Sequence, residues 1–141
     1  MPDRERPLNE RGKRDAPRMG RRLAELGVKP DVILSSPARR AFKTARILAG
    51  ELDYRVEDIR VDDRLYAAES DVLLQVIREL GDAKLCVMLV GHNPELTELA
   101  HRYSSGITHL PTCAVAEFAF AADSWPDAVL GKPEKATLHA P

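Results

Sequence analysis

Six consecutive apolar residues, Leu85–Val90 (LCVMLV), constrain this chain more than any other feature. A strand with one solvated face alternates apolar and polar side chains, whereas an unbroken run is the pattern of a strand covered on both faces. Such strands belong to parallel sheets, whose crossover connections lay helices over the two surfaces. The segments around the run carry that helical complement. Asn9–Gly27 places Ala16, Met19, Leu23 and Leu26 three or four residues apart, with Gly27 at the C′ position. Pro17, inside this pattern, either starts the helix proper as its N1 residue or kinks it. Ser36-Pro37 reads as N-cap and N1 of a second helix, with Ala41, Ala45, Leu48 and Leu52 on one face. Ser70 reads as the cap of a third, carrying Leu73, Val76, Ile77 and Leu80 and ended by Gly81. Pro94 opens a fourth, with Leu96, Leu99, Ala100 and Tyr103.

Further strands are expected at Asp31–Ser35 (DVILS), Arg55–Val61, Ala114–Phe120 and Lys135–His139. Strand and helix alternate, so the expected fold is a three-layer α/β domain: a mostly parallel open sheet with helices on both faces. No repeat, low-complexity tract or Gly/Ser linker divides residues 1–141, and a 44% hydrophobic fraction supplies one core. No apolar run approaches the roughly 18 residues of a membrane span, and without a basic n-region and apolar h-region at its start no secretory signal is expected. Cys86 and Cys113 lack CxxC or CxxH spacing and read as core residues. A cytoplasmic protein without membrane or nucleic-acid partners is expected.

Ligands of open α/β sheets bind outside the carboxyl ends of the strands, and two segments stand there. In Ser35-Ser36-Pro37-Ala38-Arg39-Arg40 a strand runs into a helix N-terminus, where free N–H groups and the dipole attract anions. Read without a ligand, the same segment is a capped helix with two solvated arginines. In Val90-Gly91-His92-Asn93-Pro94 a glycine allows a close turn and a histidine stands at the mouth of the sheet. That imidazole either donates to a bound oxyanion or is a turn residue with no partner. An arginine and a histidine converging at a helix N-terminus describe a phosphate pocket. Charge is divided in the same sense: residues 1–46 hold 13 basic and 6 acidic side chains, residues 47–141 hold 8 and 16. The split marks either an anion-binding front or solvated helix faces.

Other candidates are weaker. Asp62-Asp63 has no further ligand at a metal-binding spacing and reads as a solvated loop. His101 and His109 lack HxxxH or HExxH spacing, so no metal is expected. Trp125 reads as a packing residue, and no GxxxxGK[ST] or GxGxxG is present.

Three segments in order carry a resemblance: Arg6-Pro7-Leu8-Asn9-Glu10-Arg11-Gly12; Ser35-Ser36-Pro37 with Arg40, Ala41 and Thr44; and Val90-Gly91-His92-Asn93-Pro94. With Leu110–Ala116 (LPTCAVA), the chain resembles the histidine phosphatase superfamily, and most closely its small SixA-type phosphohistidine phosphatases. The resemblance implies a phosphoglycerate mutase-like fold and hydrolysis of phosphomonoesters or phosphoramidates through a phosphohistidine intermediate, with no metal or cofactor. It implies that Arg40 binds phosphate and that His92 donates to the phosphoryl oxygens. Arg39 is expected to be solvated or on the rim. Glu69, in Leu65–Glu69 (LYAAE), is the candidate general acid or else helps cap the helix at Ser70. The implied partners are a phosphate-bearing small molecule or a phosphohistidine protein. A poorly served acid site suits phosphohistidine, because imidazole leaves far more readily than an alkoxide.

One element of the pattern is missing. The family opens on a strand ending in Arg-His-Gly or Arg-His-Ala, whose histidine is the nucleophile, and no such tripeptide occurs here. The resemblance therefore implies an N-terminally incomplete domain, through a start placed too late or a true truncation, with negligible turnover. It also implies unpaired sheet edges, which self-association into a homo-oligomer would cover. The alternative from another functional class is a non-catalytic module that binds phosphate or a phosphoprotein.

Overall fold

The computed structural model describes residues 1–81 and 83–141. Among these described residues five helices and five strands alternate: α1 Glu10–Glu25, β1 Val32–Ser35, α2 Arg39–Glu51, β2 Arg60–Val61, α3 Ser70–Arg78, β3 Val87–Val90, α4 Glu95–Tyr103, β4 Val115–Ala119, α5 Trp125–Leu130 and β5 Lys135–His139. β2, β1 and β3 form a parallel sheet in that order. β1 and β3 are in register from Val32 opposite Val87 to Ser35 opposite Val90. β4 and β5 pair antiparallel with each other, as a second sheet, instead of joining the first.

The sheet is sandwiched because its central strand β1 has no solvated face. All four residues of β1 are buried. Val32 and Leu34 pack with Leu73, Leu74 and Val76 of α3, Leu99 of α4 and Val129 of α5. Ile33 points the other way, against Ala45 and Ala49 of α2, with Met88 and Val90 beside it. Met19 and Leu23 of α1 meet Leu48 and Leu52 of α2 over the same face. The expected helix–sheet–helix layering is therefore present. β3, expected to be fully covered, is only half-buried. It pairs with β1 on one edge, while β4 pairs with β5 alone. A cavity of about 1010 Å³ is lined by β3 and β4 together.

Three helix starts differ from expectation. α1 does not begin at Pro17 but seven residues earlier, and it continues through the proline. Asn9 makes this possible: its side chain accepts from the Gly12 N–H at 2.8 Å, satisfying a first-turn donor. Gly12 has its own reason, since a Cβ there would lie 2.8 Å from Leu8 Cγ. The helix closes as expected, with Gly27 at φ 81° and bonds from Gly27 N–H to Ala24 O and Val28 N–H to Leu23 O. α2 starts at Arg39 with Ala38 at the cap, not at Ser36-Pro37, because Ser36 is engaged elsewhere. α3 starts at Ser70, so Glu69 and not Ser70 holds the cap position, without a side-chain capping bond. The expected strand at Arg55–Val61 is reduced to β2, preceded by a single 3-10 turn at Val56–Asp58. Trp125 opens α5, packs against the main core and donates to Lys84 O.

Candidate functional site

The carboxyl ends of the three parallel strands are stitched together. Ser36 N–H donates to Val90 O at 2.9 Å, and Asp62 N–H donates to Ser35 O at 3.0 Å. The loops leaving β1, β2 and β3 therefore emerge side by side, at the place where such sheets bind ligands. Gly91 permits the close packing there: a Cβ on it would sit 3.3 Å from the Leu65 carbonyl oxygen.

Ser36, one residue past the end of β1, and His92, two residues past the end of β3, meet with Oγ and Nε2 2.7 Å apart. Ser36 Oγ also accepts from Ala38 N–H at 3.1 Å, which turns the chain before α2 and leaves that helix without a side-chain cap. Arg40, in the first turn of α2, reaches His92 with Nη2 3.4 Å from Nδ1. A guanidinium only donates, so this contact puts the ring lone pair on Nδ1 and the proton on Nε2, facing Ser36. Burial, then the Arg40 charge, holds the His92 imidazole below its ordinary pKa. The structure thus brings the two predicted residues, Arg40 and His92, into one cluster at an uncapped helix N-terminus. Thr44 Oγ1 donates back to Arg40 O at 3.0 Å, fixing the turn that carries the arginine. Arg39 is exposed, as expected.

Two further residues belong to the cluster and were not legible in the sequence. Tyr66 sets its ring edge-on to His92, with centroids 5.3 Å apart and planes at 84°. Its hydroxyl donates to Asp3 Oδ2 at 2.6 Å. Asp3 also receives Arg40, which donates from Nη2 to Asp3 Oδ2 at 3.1 Å and from Nη1 to Asp3 O at 2.8 Å. Arg6 Nη2 lies 3.2 Å from the other carboxylate oxygen. The Tyr66 and Arg40 hydrogen bonds hold the Asp3 carboxyl below its usual range. An aromatic residue in the loop after β2 is the only hint of Tyr66, and no periodicity points to Asp3.

Glu69 is exposed at the start of α3, and its carboxylate makes no hydrogen bond to Arg40 or His92. Glu95, which opens α4, is closer in effect: its charge favours protonated His92, and its Oε2 is buried with no hydrogen-bond partner among the described residues. Asp62 is a local organiser, accepting from Arg64 N–H, Nε and Nη2, while Arg64 also reaches Glu79. His101 Nδ1 lies 2.9 Å from Ile107 O, His139 pairs with Glu117, and His109 is exposed. Among the described residues no helix is long and apolar enough to cross a membrane.

Comparison with known proteins bears on this geometry. Residues 3–69 match the profile of the histidine phosphatase superfamily (branch 1). An uncharacterized chloroplastic protein of Arabidopsis thaliana is 28% identical over 134 residues, which is 89% of this chain and 62% of that protein. The chain thus spans less than two thirds of that relative's length. The structure of SixA from Agrobacterium tumefaciens superposes with a TM-score of 0.74 at 29% identity, over 81% of this chain and 77% of that one. That of the protein histidine phosphatase SixA complexed with tungstate gives 0.79 at 20% identity, over 98% and 84%. Residues 3–69 thus carry the profile of the histidine phosphatase superfamily, and the fold of nearly the whole chain is that of the SixA structures.

Proposed function

We propose that the Arg40–His92 cluster is a phosphate pocket and that its ligand is a phosphoryl group on a protein histidine or a small phosphomonoester. The observation that carries this reading is the single contact between the Arg40 guanidinium and His92 Nδ1 beside the uncapped start of α2. A phosphoryl group placed there would meet the fork of Arg40, the first-turn N–H groups of α2 and the imidazole of His92. Arginine matches two phosphoryl oxygens at once, and the helix dipole adds to the same field. Negative charge gathers on the equatorial oxygens as a phosphoryl group transfers, and donors already fixed in place stabilise it without reorganising. With phosphate bound, His92 becomes worth protonating, since the anion offsets the burial and the Arg40 charge that keep it neutral. Glu69 is the carboxylate we assign to proton delivery, on the loop that also carries Tyr66. Ready departure of imidazole makes that delivery less demanding for phosphohistidine than for an alkyl ester. Two unpaired cysteines are consistent with a cytoplasmic setting.

A second reading, binding without turnover, is favoured by one observation. Transfer through phosphohistidine needs a nucleophilic imidazole, and His101, His109 and His139 are all placed elsewhere. Calorimetry with inorganic phosphate, paired with hydrolysis assays on an aryl phosphate and a phosphohistidine protein, tests both readings. The 141-residue chain is expected to bind phosphate, to lose at least tenfold in affinity as Arg40→Ala, and to show negligible turnover. Phosphate affinity unchanged in Arg40→Ala would remove the pocket. Robust turnover abolished by His92→Ala would remove the binding-only reading.

A further inference from the structure

Both terminal nitrogens of Arg40 are already engaged by groups of the chain itself. Nη2 serves Asp3 Oδ2 and His92 Nδ1, and Nη1 serves the Asp3 carbonyl. The face of the guanidinium that a phosphoryl group would need is therefore covered by an anion of the chain itself. From this geometry we infer that Asp3 is an internal competing anion, an autoinhibitory contact against which a phosphoryl ligand must compete for Arg40. The inference rests on the phosphate-pocket reading of Arg40 and adds a control on access to it.

Three features fit a contact made to be exchanged. The carboxylate mimics the ligand in kind: its Oδ2 takes both the guanidinium and the Tyr66 hydroxyl, and Arg6 neutralises Oδ1. The rest of the segment that carries it is held by exposed contacts, Arg4 reaching Asp63 and lying over the Tyr66 ring. The single 3-10 turn Asp3–Glu5 has no buried residue, and the first buried side chain after it is Leu8. The Asp3 side chain is itself about half exposed, so water can follow it out of the site (49% of its surface is accessible). The hydrogen bonds from Tyr66 and Arg40 also hold the Asp3 carboxyl below its usual pKa, which favours the charged competitor. A phosphoryl group on the same guanidinium edge would stand against the Asp3 carboxylate at close range, so each anion weakens the hold of the other on Arg40.

Titration calorimetry with inorganic phosphate on the whole chain tests this directly. Asp3→Asn and Asp3→Ala are expected to bind phosphate about tenfold more tightly than the unmodified chain, the scale of a multiply bonded, partly exposed charge pair. Tyr66→Phe, which frees one bond to Asp3, is expected to fall between them and the parent. Arg40→Ala in the Asp3→Asn background should abolish the gain. Unchanged or weaker affinity in both Asp3 variants, with Arg40→Ala still losing phosphate, overturns the internal anion and leaves the pocket standing. Arg40→Ala binding phosphate as well as the parent overturns the pocket and the competing anion together.

Discussion

His92 concentrates the chemistry of the site at the scale of one residue. Its ring is wedged between Ser36, Arg40 and Tyr66, and burial and the arginine both work against its protonation. A histidine whose pKa is depressed in the fold is neutral there while the unfolded chain still takes up a proton near pH 6.5. Its contribution to stability is therefore complete above that pH and declines as pH falls through it. A bound phosphate dianion reverses the balance. NMR titration of the His92 ring is expected to give a pKa below the ordinary value in the free chain and a higher one in saturating phosphate. A value that phosphate leaves in place would mean the anion binds elsewhere. Arg40 and His92 were legible because each follows a strand end at a spacing that backbone geometry enforces. Tyr66 and Asp3 were not, because a loop ending in Ala67 at φ 56° and an exposed 3-10 turn carry no repeating pattern.

At the scale of the elements, what the helices share is how their first turns are satisfied. α1 owes its start to Asn9, whose side chain caps Gly12, and this allows it to tolerate Pro17 and the amide that proline lacks. Asn9→Ala is expected to cost about 1 kcal/mol of stability, read as a lower urea midpoint at unchanged m-value. A midpoint that does not move would show that packing of Met19 and Leu23 alone fixes the helix. α2 presents the opposite case. Ser36 has the sequence of a cap, but its hydroxyl is committed to His92 and to the turn at Ala38, so the helix begins at Arg39 uncapped. Local preference at Ser36 yields to the tertiary contact. The departure from the capping rule falls at the candidate site, and local rules are most often broken where a side chain serves a tertiary contact. Helix periods and the buried strand β1 could be read directly, since side-chain spacing follows burial. The pairing of β4 with β5 could not, because strand partners depend on contacts far apart in the chain.

For the molecule as a whole, the LCVMLV run predicts a strand covered on both faces, and β3 is only half-buried. Its free edge and that of β4 line the same cavity of about 1010 Å³. Open strand edges beside apolar surface favour pairing with other chains. We expect concentration-dependent association, seen by light scattering as a mass that rises with protein concentration; a monomer throughout would dispose of it. The basic bias of residues 1–46 takes on a narrower meaning too. Much of it is exposed helix surface, as on α1, whereas Arg40 alone is tied to both His92 and an anion. The pocket is a joint property of two loops from neighbouring strands, so its two donors should act as one unit. Phosphate affinity measured across Arg40→Lys, His92→Gln and the double variant tests that most directly. Each single change should weaken binding by roughly tenfold, and the double should lose clearly less than the product of the two, as coupled contacts do. Losses that simply multiply, or a single variant that binds phosphate as the parent does, would contradict a shared Arg40–His92 pocket.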